Sequence, residues 1–327
     1  MKSQKFSTRF SSGIIRAVGD KIAPKGIGKG RLCIINYHRV LETIDPLVEF
    51  EPDINKFRWQ MELLADCFNV IPLQDALRIM QTERMPPRAV CITFDDGYRS
   101  THDFVLPILK EYNLPASVFI TTGYIDGGNM WNDRIIESVR RLSFGQYDLR
   151  ELGLDVYSLQ TFHDRKNIIQ HLIEKSKYLP FKARLDLAQK LENLAGGASS
   201  HSLMLTRDMI STLAKQGIEI GGHTVTHPIL TSLEDEIARS EIVDGKRELE
   251  MIIGKPVKLF AYPNGKIGMD FDERHMSMAK DAGFTAALTT ARGAASHKND
   301  LYALPRCRPW DSTPFFFGLR ILSWLAR

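Results

Sequence analysis

Ala89-Val90-Cys91-Ile92-Thr93-Phe94-Asp95-Asp96-Gly97-Tyr98 is the stretch whose reading decides the fold. The apolar and β-branched run from Ala89 to Phe94 reads as a buried strand, covered on both faces. It ends abruptly in two adjacent carboxylates and a glycine, and Ser100 then opens a helical pattern. Two acids at the end of an inner strand are costly to place, because desolvated like charges repel unless a cation or a proton intervenes. Asp and Gly are also common in turns between strand and helix. On its own, the stretch leaves a helix-capping turn open.

Outward toward the N-terminus, Arg84-Met85-Pro86-Pro87 is a breaker, Leu73 to Met80 a short helix and Val70-Ile71 a short strand. Phe57, Met61, Leu64 and Phe68 recur at helical spacing. Before a polar loop reaching about Asp53, the apolar run Leu32 to Tyr37 makes a first strand that ends in His38-Arg39. Toward the C-terminus come a helix to about Tyr112, a strand Ala116 to Thr121, a Gly-rich turn at Gly123 to Gly128, and a helix from Trp131 to Leu142. Residues 143–205 show no convincing strand and are expected to be a helical insertion.

The rhythm resumes with a helix Thr206 to Gln216, Gly217 as its stop, and a strand Ile218 to Gly221. His223-Thr224-Val225-Thr226-His227 follows directly. A helix over Leu233 to Ile253, a strand Leu259 to Tyr262, the turn Pro263-Asn264-Gly265, a helix near Glu273 to Asp281, and strands at Ala286 to Thr290 and Leu304-Pro305-Arg306 complete the series. Strands alternating with helices across short loops predict βα units and a parallel sheet.

His223 and His227 lie four apart just past a strand end. Two imidazoles and one carboxylate are a common ligand set for a divalent metal with open positions, although a His pair satisfied by hydrogen bonds in a turn has the same pattern. An acid pair after one strand and a His pair after another stand where parallel barrels build active sites.

Thr93-Phe94-Asp95-Asp96-Gly97 together with His223-Thr-Val-Thr-His227 resembles the polysaccharide deacetylases of the NodB-homology type, carbohydrate esterase family four, over residues 32 to about 310. The resemblance implies a distorted (β/α)7-type barrel carrying a helical insertion. It implies metal-dependent removal of N-acetyl groups from N-acetylglucosamine units of a polysaccharide or glycan precursor. It assigns Asp95 as general base and Asp96, His223 and His227 as metal ligands, with zinc first and cobalt or nickel as alternatives.

Two departures stand out. Ala261, in Phe260-Ala261-Tyr262-Pro263-Asn264-Gly265, occupies the place of an Arg that usually orients the base, and no Leu-x-His occurs near the C-terminus. Asn36-Tyr37-His38-Arg39 is similar to the first-strand element of the poly-N-acetylglucosamine deacetylase branch, in which an N-terminal His is the acid. His38 is therefore expected to protonate the leaving amine, and Arg306 to stand in for the missing Arg beside Asp95. Tyr262, Asn264 and Trp131 are candidate substrate-orienting residues, with Trp131 and Trp310 able to stack on sugar faces. The departures keep open a non-catalytic glycan-binding or assembly protein, and an amidase of the same fold acting on a small non-sugar amide is a third reading.

Composition bounds the rest. A chain of 327 residues, 43% hydrophobic and 25% charged, suits one α/β barrel with insertions. The formal net charge is +4, but residues 1–31 alone carry +7, leaving −3 for the body, which argues against a nucleic-acid partner. That basic arm, with Phe6, Phe10, Ile14, Ile15 and Val18, reads as a solvated tail or as an amphipathic helix on an anionic membrane surface. Four cysteines without paired spacing favour a reducing compartment. The expected layout is a basic arm to residue 31, a deacetylase-like domain over 32–312 and an apolar tail over 313–327. The expected location is cytoplasmic, with peripheral contact at the membrane face.

Overall fold

The computed structural model describes residues 13, 15–19, 30–82, 84–308 and 311–326. Two compact units are present, one formed by Met1–Ile125 with Leu205–Arg327 and the other by Asp126–Met204.

The first unit is built on a sheet whose strands follow the order β1-β3-β4-β7-β8-β9-β10, with β2 beside the start of β3. These strands are β1 (Leu32–Tyr37), β2 (Asn69–Val70), β3 (Ala89–Phe94), β4 (Ser117–Ile120), β7 (Glu219–Gly222), β8 (Leu259–Ala261), β9 (Ala286–Arg292) and β10 (Leu304–Arg306). Neighbouring strands along the path pair in parallel. The first and last strands meet through the bridge Ile35↔Cys307, where Asn36 N–H donates to the Cys307 carbonyl at 2.9 Å and Cys307 N–H to the Ile34 carbonyl at 2.7 Å. The result is the seven-stranded, nearly closed barrel expected from the resemblance.

Local sequence accounts for these elements. Every residue of β1 and β3 is buried, as unbroken apolar runs in a parallel sheet must be. The helix Ile54–Cys67 is capped by Asp53, whose carboxylate accepts the Lys56 N–H at 2.8 Å, and it buries Phe57, Met61 and Leu64. After β3 the chain enters a π-helical turn, Thr101–Val105, before the α-helix Leu106–Tyr112. The long helix Asp235–Ile253 stops at Gly254, which is left-handed at φ 67°. The apolar tail forms the helix Pro314–Ala326, burying Phe317, Ile321, Leu322 and Leu325. Among the described residues no helix is long and apolar enough to cross a membrane.

The second unit corrects one expectation. It contains the helices Trp131–Arg141, Phe162–Ser176 and Phe181–Leu194, but also an antiparallel hairpin of β5 (Gly145–Asp148) and β6 (Val156–Leu159). Only Leu159 is fully buried in that hairpin. Four-residue strands with one inward anchor show too little apolar alternation to stand out from a charged helical background.

Most of the basic arm lies outside the described residues. Residues 13 and 15–19 of the arm are helical, and Ile15 is buried against Gly318, where an added Cβ would clash with the Ile15 side chain. Trp310 lies outside the described residues.

Candidate metal centre and its flanking acid and base

Five strand ends converge on the same rim of the barrel. His38 follows β1, Asp95 and Asp96 follow β3, His223 follows β7, Ala261 ends β8 and Arg306 ends β10. The carboxyl ends of parallel strands are where such barrels place their chemistry.

The two adjacent acids face different neighbours. Asp95 N–H continues the ladder to the Tyr37 carbonyl at 3.0 Å. Its carboxylate is clamped by Arg306, with Nη1 to Oδ1 and Nη2 to Oδ2 each at 2.7 Å. Arg306 Nε donates to the Thr289 carbonyl at 2.8 Å, and both members of the pair are almost wholly buried. Asp96 adopts φ 73°, a left-handed turn at the strand end that carries its side chain away from its neighbour's partner. Its Oδ1 lies 3.3 Å from His223 Nε2 and 3.4 Å from His227 Nε2.

Ring orientation follows from the sheet. His223 N–H donates to the Ile120 carbonyl at 3.0 Å, and Nδ1–H to the Ala261 carbonyl at 2.7 Å, which leaves Nε2 turned toward Asp96. A backbone carbonyl has no side-chain signature, so nothing in the sequence marks Ala261 as a contributor. The two imidazoles stand 5.0 Å apart at 63°.

Asp96, His223 and His227 suit a divalent metal. One ligand atom from each lies within 4.8 Å of the other two. In a tetrahedral zinc site with bonds of about 2.1 Å, ligand atoms are about 3.4 Å apart, close to the separations from Asp96. The donor chemistry, one carboxylate and two imidazoles, is that of an open catalytic site.

The electrostatics separate the two acids without neutralising either. Burial pushes the Asp95 carboxyl up, but the charges of Arg306, His223 and His38 together with the Arg306 hydrogen bonds outweigh it and hold the group below its ordinary value. Burial also pushes Asp96 up, and the His223 hydrogen bond with the His227, His38 and His223 charges holds it well below the usual carboxylate range. His223 is pushed down by burial and up by Asp96, Asp95 and the Ala261 carbonyl, with the net direction up.

When its ring is protonated, the His38 charge favours the ionised form of both carboxylates. Its ring is about a quarter exposed, with Nδ1 3.9 Å from Glu51 Oε1. Arg308 Nη2 donates to that same oxygen at 3.0 Å. Glu51 and Arg308 escaped sequence reasoning, because a charged residue in a polar loop resembles any solvated one.

Three candidates fall differently. Tyr262 has no exposed surface; its hydroxyl donates to the Tyr302 carbonyl at 3.0 Å and its ring stacks on Phe271 at 3.7 Å, so its side chain is a core residue and not an orienting one. Trp131 belongs to the second unit and is buried there, with the Arg184 guanidinium 5.3 Å from its ring centroid, so that face is already covered. Asn264 is half-buried at φ 58° in the turn after β8, where its carbonyl accepts the Thr290 hydroxyl at 2.6 Å.

Comparisons with known proteins place the chain in a family. The family profile described as polysaccharide deacetylase matches residues 82–287, more than half of the chain. The poly-β-1,6-N-acetyl-D-glucosamine N-deacetylase of Staphylococcus epidermidis is 26% identical over 223 residues, covering 59% of this chain and 72% of that protein. A relative from Bacillus subtilis is 22% identical over 237 residues, and there the match spans 72% of this chain but only 57% of the relative's length. Among solved structures, the Streptococcus pyogenes deacetylase PplD superposes with a TM-score of 0.59 at 18% identity, over 90% of this chain and 98% of that one. IcaB from Ammonifex degensii gives 0.57 at 16% identity, over 91% and 98%. At these identities the structural likeness shows the fold.

Proposed function

Because this chain belongs to the polysaccharide deacetylase family, we propose that it is a metal-dependent hydrolase removing N-acetyl groups from N-acetylglucosamine-type units of a polysaccharide or glycan precursor. The observation that carries the reading is the division of labour between neighbouring acids, Asp95 clamped by Arg306 and Asp96 turned to His223 and His227.

Asp96, His223 and His227 would hold the ion, zinc first and cobalt or nickel as alternatives; bound there, it supplies Lewis acidity toward the acetamide. Asp95 takes the proton of the attacking water, and the bidentate Arg306 contact keeps its carboxylate aimed. The Ala261 carbonyl keeps the His223 tautomer fixed. Once the new C–O bond has formed, His38 donates a proton to the nitrogen as the C–N bond breaks, so acetate and a free amine are released.

The alternative of a non-catalytic glycan-binding or assembly protein rests on Ala261 at the family Arg position and on the missing C-terminal Leu-x-His. Arg306 brings a guanidinium to Asp95 from another strand, which supports the catalytic reading. The test is acetate release from N-acetylated oligosaccharides by purified protein with added zinc or cobalt. Release should collapse in Asp95→Asn while metal content persists. No acetate from any N-acetylated glycan, alongside an active control deacetylase, refutes the proposal. Peripheral contact with an anionic membrane surface is supported by the +7 balance of residues 1–31, and co-sedimentation with anionic vesicles, with and without those residues, checks it.

A further inference from the structure

We infer that Glu241 is the positioning residue for His227, the ligand furthest from the sheet. This rests on the metal reading of the site proposed above.

His223 is held by two strands, through the Ile120 and Ala261 carbonyls. His227 lies at the far end of the loop that follows, and that loop is strained. Thr224 stands at φ 67° and His227 at φ 56°. A β-branched residue at positive φ is an outlier that persists only where the surroundings over-determine it.

The over-determining contacts converge from three sides. Thr122 N–H donates to the Thr224 carbonyl at 3.1 Å and Gly123 N–H to the Val225 carbonyl at 2.8 Å. His227 N–H donates to Thr224 Oγ1 at 3.1 Å. From the helix Asp235–Ile253, Glu241 Oε2 accepts the N–H groups of both Val225 and Thr226 at 2.8 Å, and Oε1 accepts the Thr226 hydroxyl at 2.6 Å. Successive backbone N–H groups turned to one side form a cradle for an anion, and here the protein's own carboxylate fills it with charge-assisted bonds.

One helical turn beyond Glu241, Gly245 lets the helix come close. A Cβ there would meet the Thr224 carbonyl carbon and oxygen at 3.1 Å. Glu241 and Gly245 therefore act on the same loop, one by holding its N–H groups and the other by giving its backbone room. Neither residue touches the reacting atoms; their effect reaches the site through His227.

The test titrates zinc and cobalt into metal-free full chain and reads affinity together with the cobalt absorption spectrum, well below the unfolding temperature. Removing a group that orients a ligand typically lowers metal affinity about 10- to 100-fold, and that loss is expected for Glu241→Ala with an altered cobalt spectrum. Glu241→Gln keeps an oxygen for the two N–H groups and should recover most of the affinity. Gly245→Ala should weaken binding in the same direction without lowering the unfolding temperature of the metal-free protein. Wild-type affinity and spectrum in Glu241→Ala, or a Gln variant no better than Ala, overturn the inference. If Glu241→Ala does not fold, unchanged affinity in Gly245→Ala overturns it. A wild-type chain that takes up no metal refutes the metal reading itself, and this inference with it.

Discussion

Replacing Arg306 by Met tests the clamp on Asp95 directly. Arg306 and Asp95 are 2% and 3% exposed, and the substitution removes two bonds of 2.7 Å to the carboxylate and one of 2.8 Å to the Thr289 carbonyl. Breaking a buried ion pair by deleting one partner costs about 3–5 kcal/mol, because the other charge is left uncompensated. For a domain of this size each kcal/mol moves Tm by about 2–4 °C, so metal-free Arg306→Met should unfold roughly 6–20 °C lower. Turnover should fall on the order of 100-fold, the usual consequence of misplacing a reacting group by about an ångström. The sign of the pH effect follows from the same pair. The folded Asp95 carboxyl lies below its ordinary 3.8, so its contribution to stability is present above pH 3.8 and is lost as pH falls through the folded value. Without Arg306 the largest counterweight to burial is gone, and the acid limb of the pH–rate profile should move upward. Adding Asp95→Asn to Arg306→Met removes the orphaned charge and should recover stability, a coupling that a double-mutant cycle measures. Thermal unfolding and acetate release are the assays. A variant with wild-type Tm and turnover within about twofold of wild type would refute the view that a buried charge pair organises the base.

Other changes separate metal, acid and scaffold. His227→Ala should drop zinc content from about one ion per chain to a small fraction, measured by elemental analysis, since two donors hold zinc far more weakly than three. His38→Gln should lower kcat by about 10²- to 10⁴-fold, the usual contribution of a general acid, with metal content unchanged. Glu219→Ala acts at the opposite end of β7, where the carboxylate accepts the Leu73 and Gln74 N–H groups at 2.8 and 3.1 Å and the Ser117 hydroxyl at 2.7 Å. It should cost about 1–3 kcal/mol in denaturant unfolding, while metal content and kcat per folded molecule stay at wild-type values.

Much of this was legible from local pattern. The unbroken apolar runs Leu32–Tyr37 and Ala89–Phe94 are wholly buried parallel strands. The adjacent acids Asp95 and Asp96 and the pair His223 and His227 reach the same barrel rim because each follows a strand end, and strand ends are readable from where apolar runs stop. The β5–β6 hairpin escaped because its strands are short and bury only one residue. Tyr262 and Trp131 misled because an aromatic residue reads the same whether it faces a ligand or a neighbouring side chain such as Phe271 or Arg184.

The sequence by itself determined the alternation of strands and helices and the residue types at strand ends. Those types place two carboxylates and two imidazoles where only a cation or protons can relieve them. Tertiary structure alone decided which groups meet. Arg306 and Asp95 are 211 positions apart and pair because β10 closes onto β1, itself the neighbour of β3. No local pattern distinguishes that Arg from one on the surface, since its charge is tolerable in the interior only once Asp95 and the Thr289 carbonyl are beside it. The loop from Thr224 to His227 is the same case: its positive φ angles oppose local preference, and contacts from another strand end and from the helix Asp235–Ile253 hold them in place.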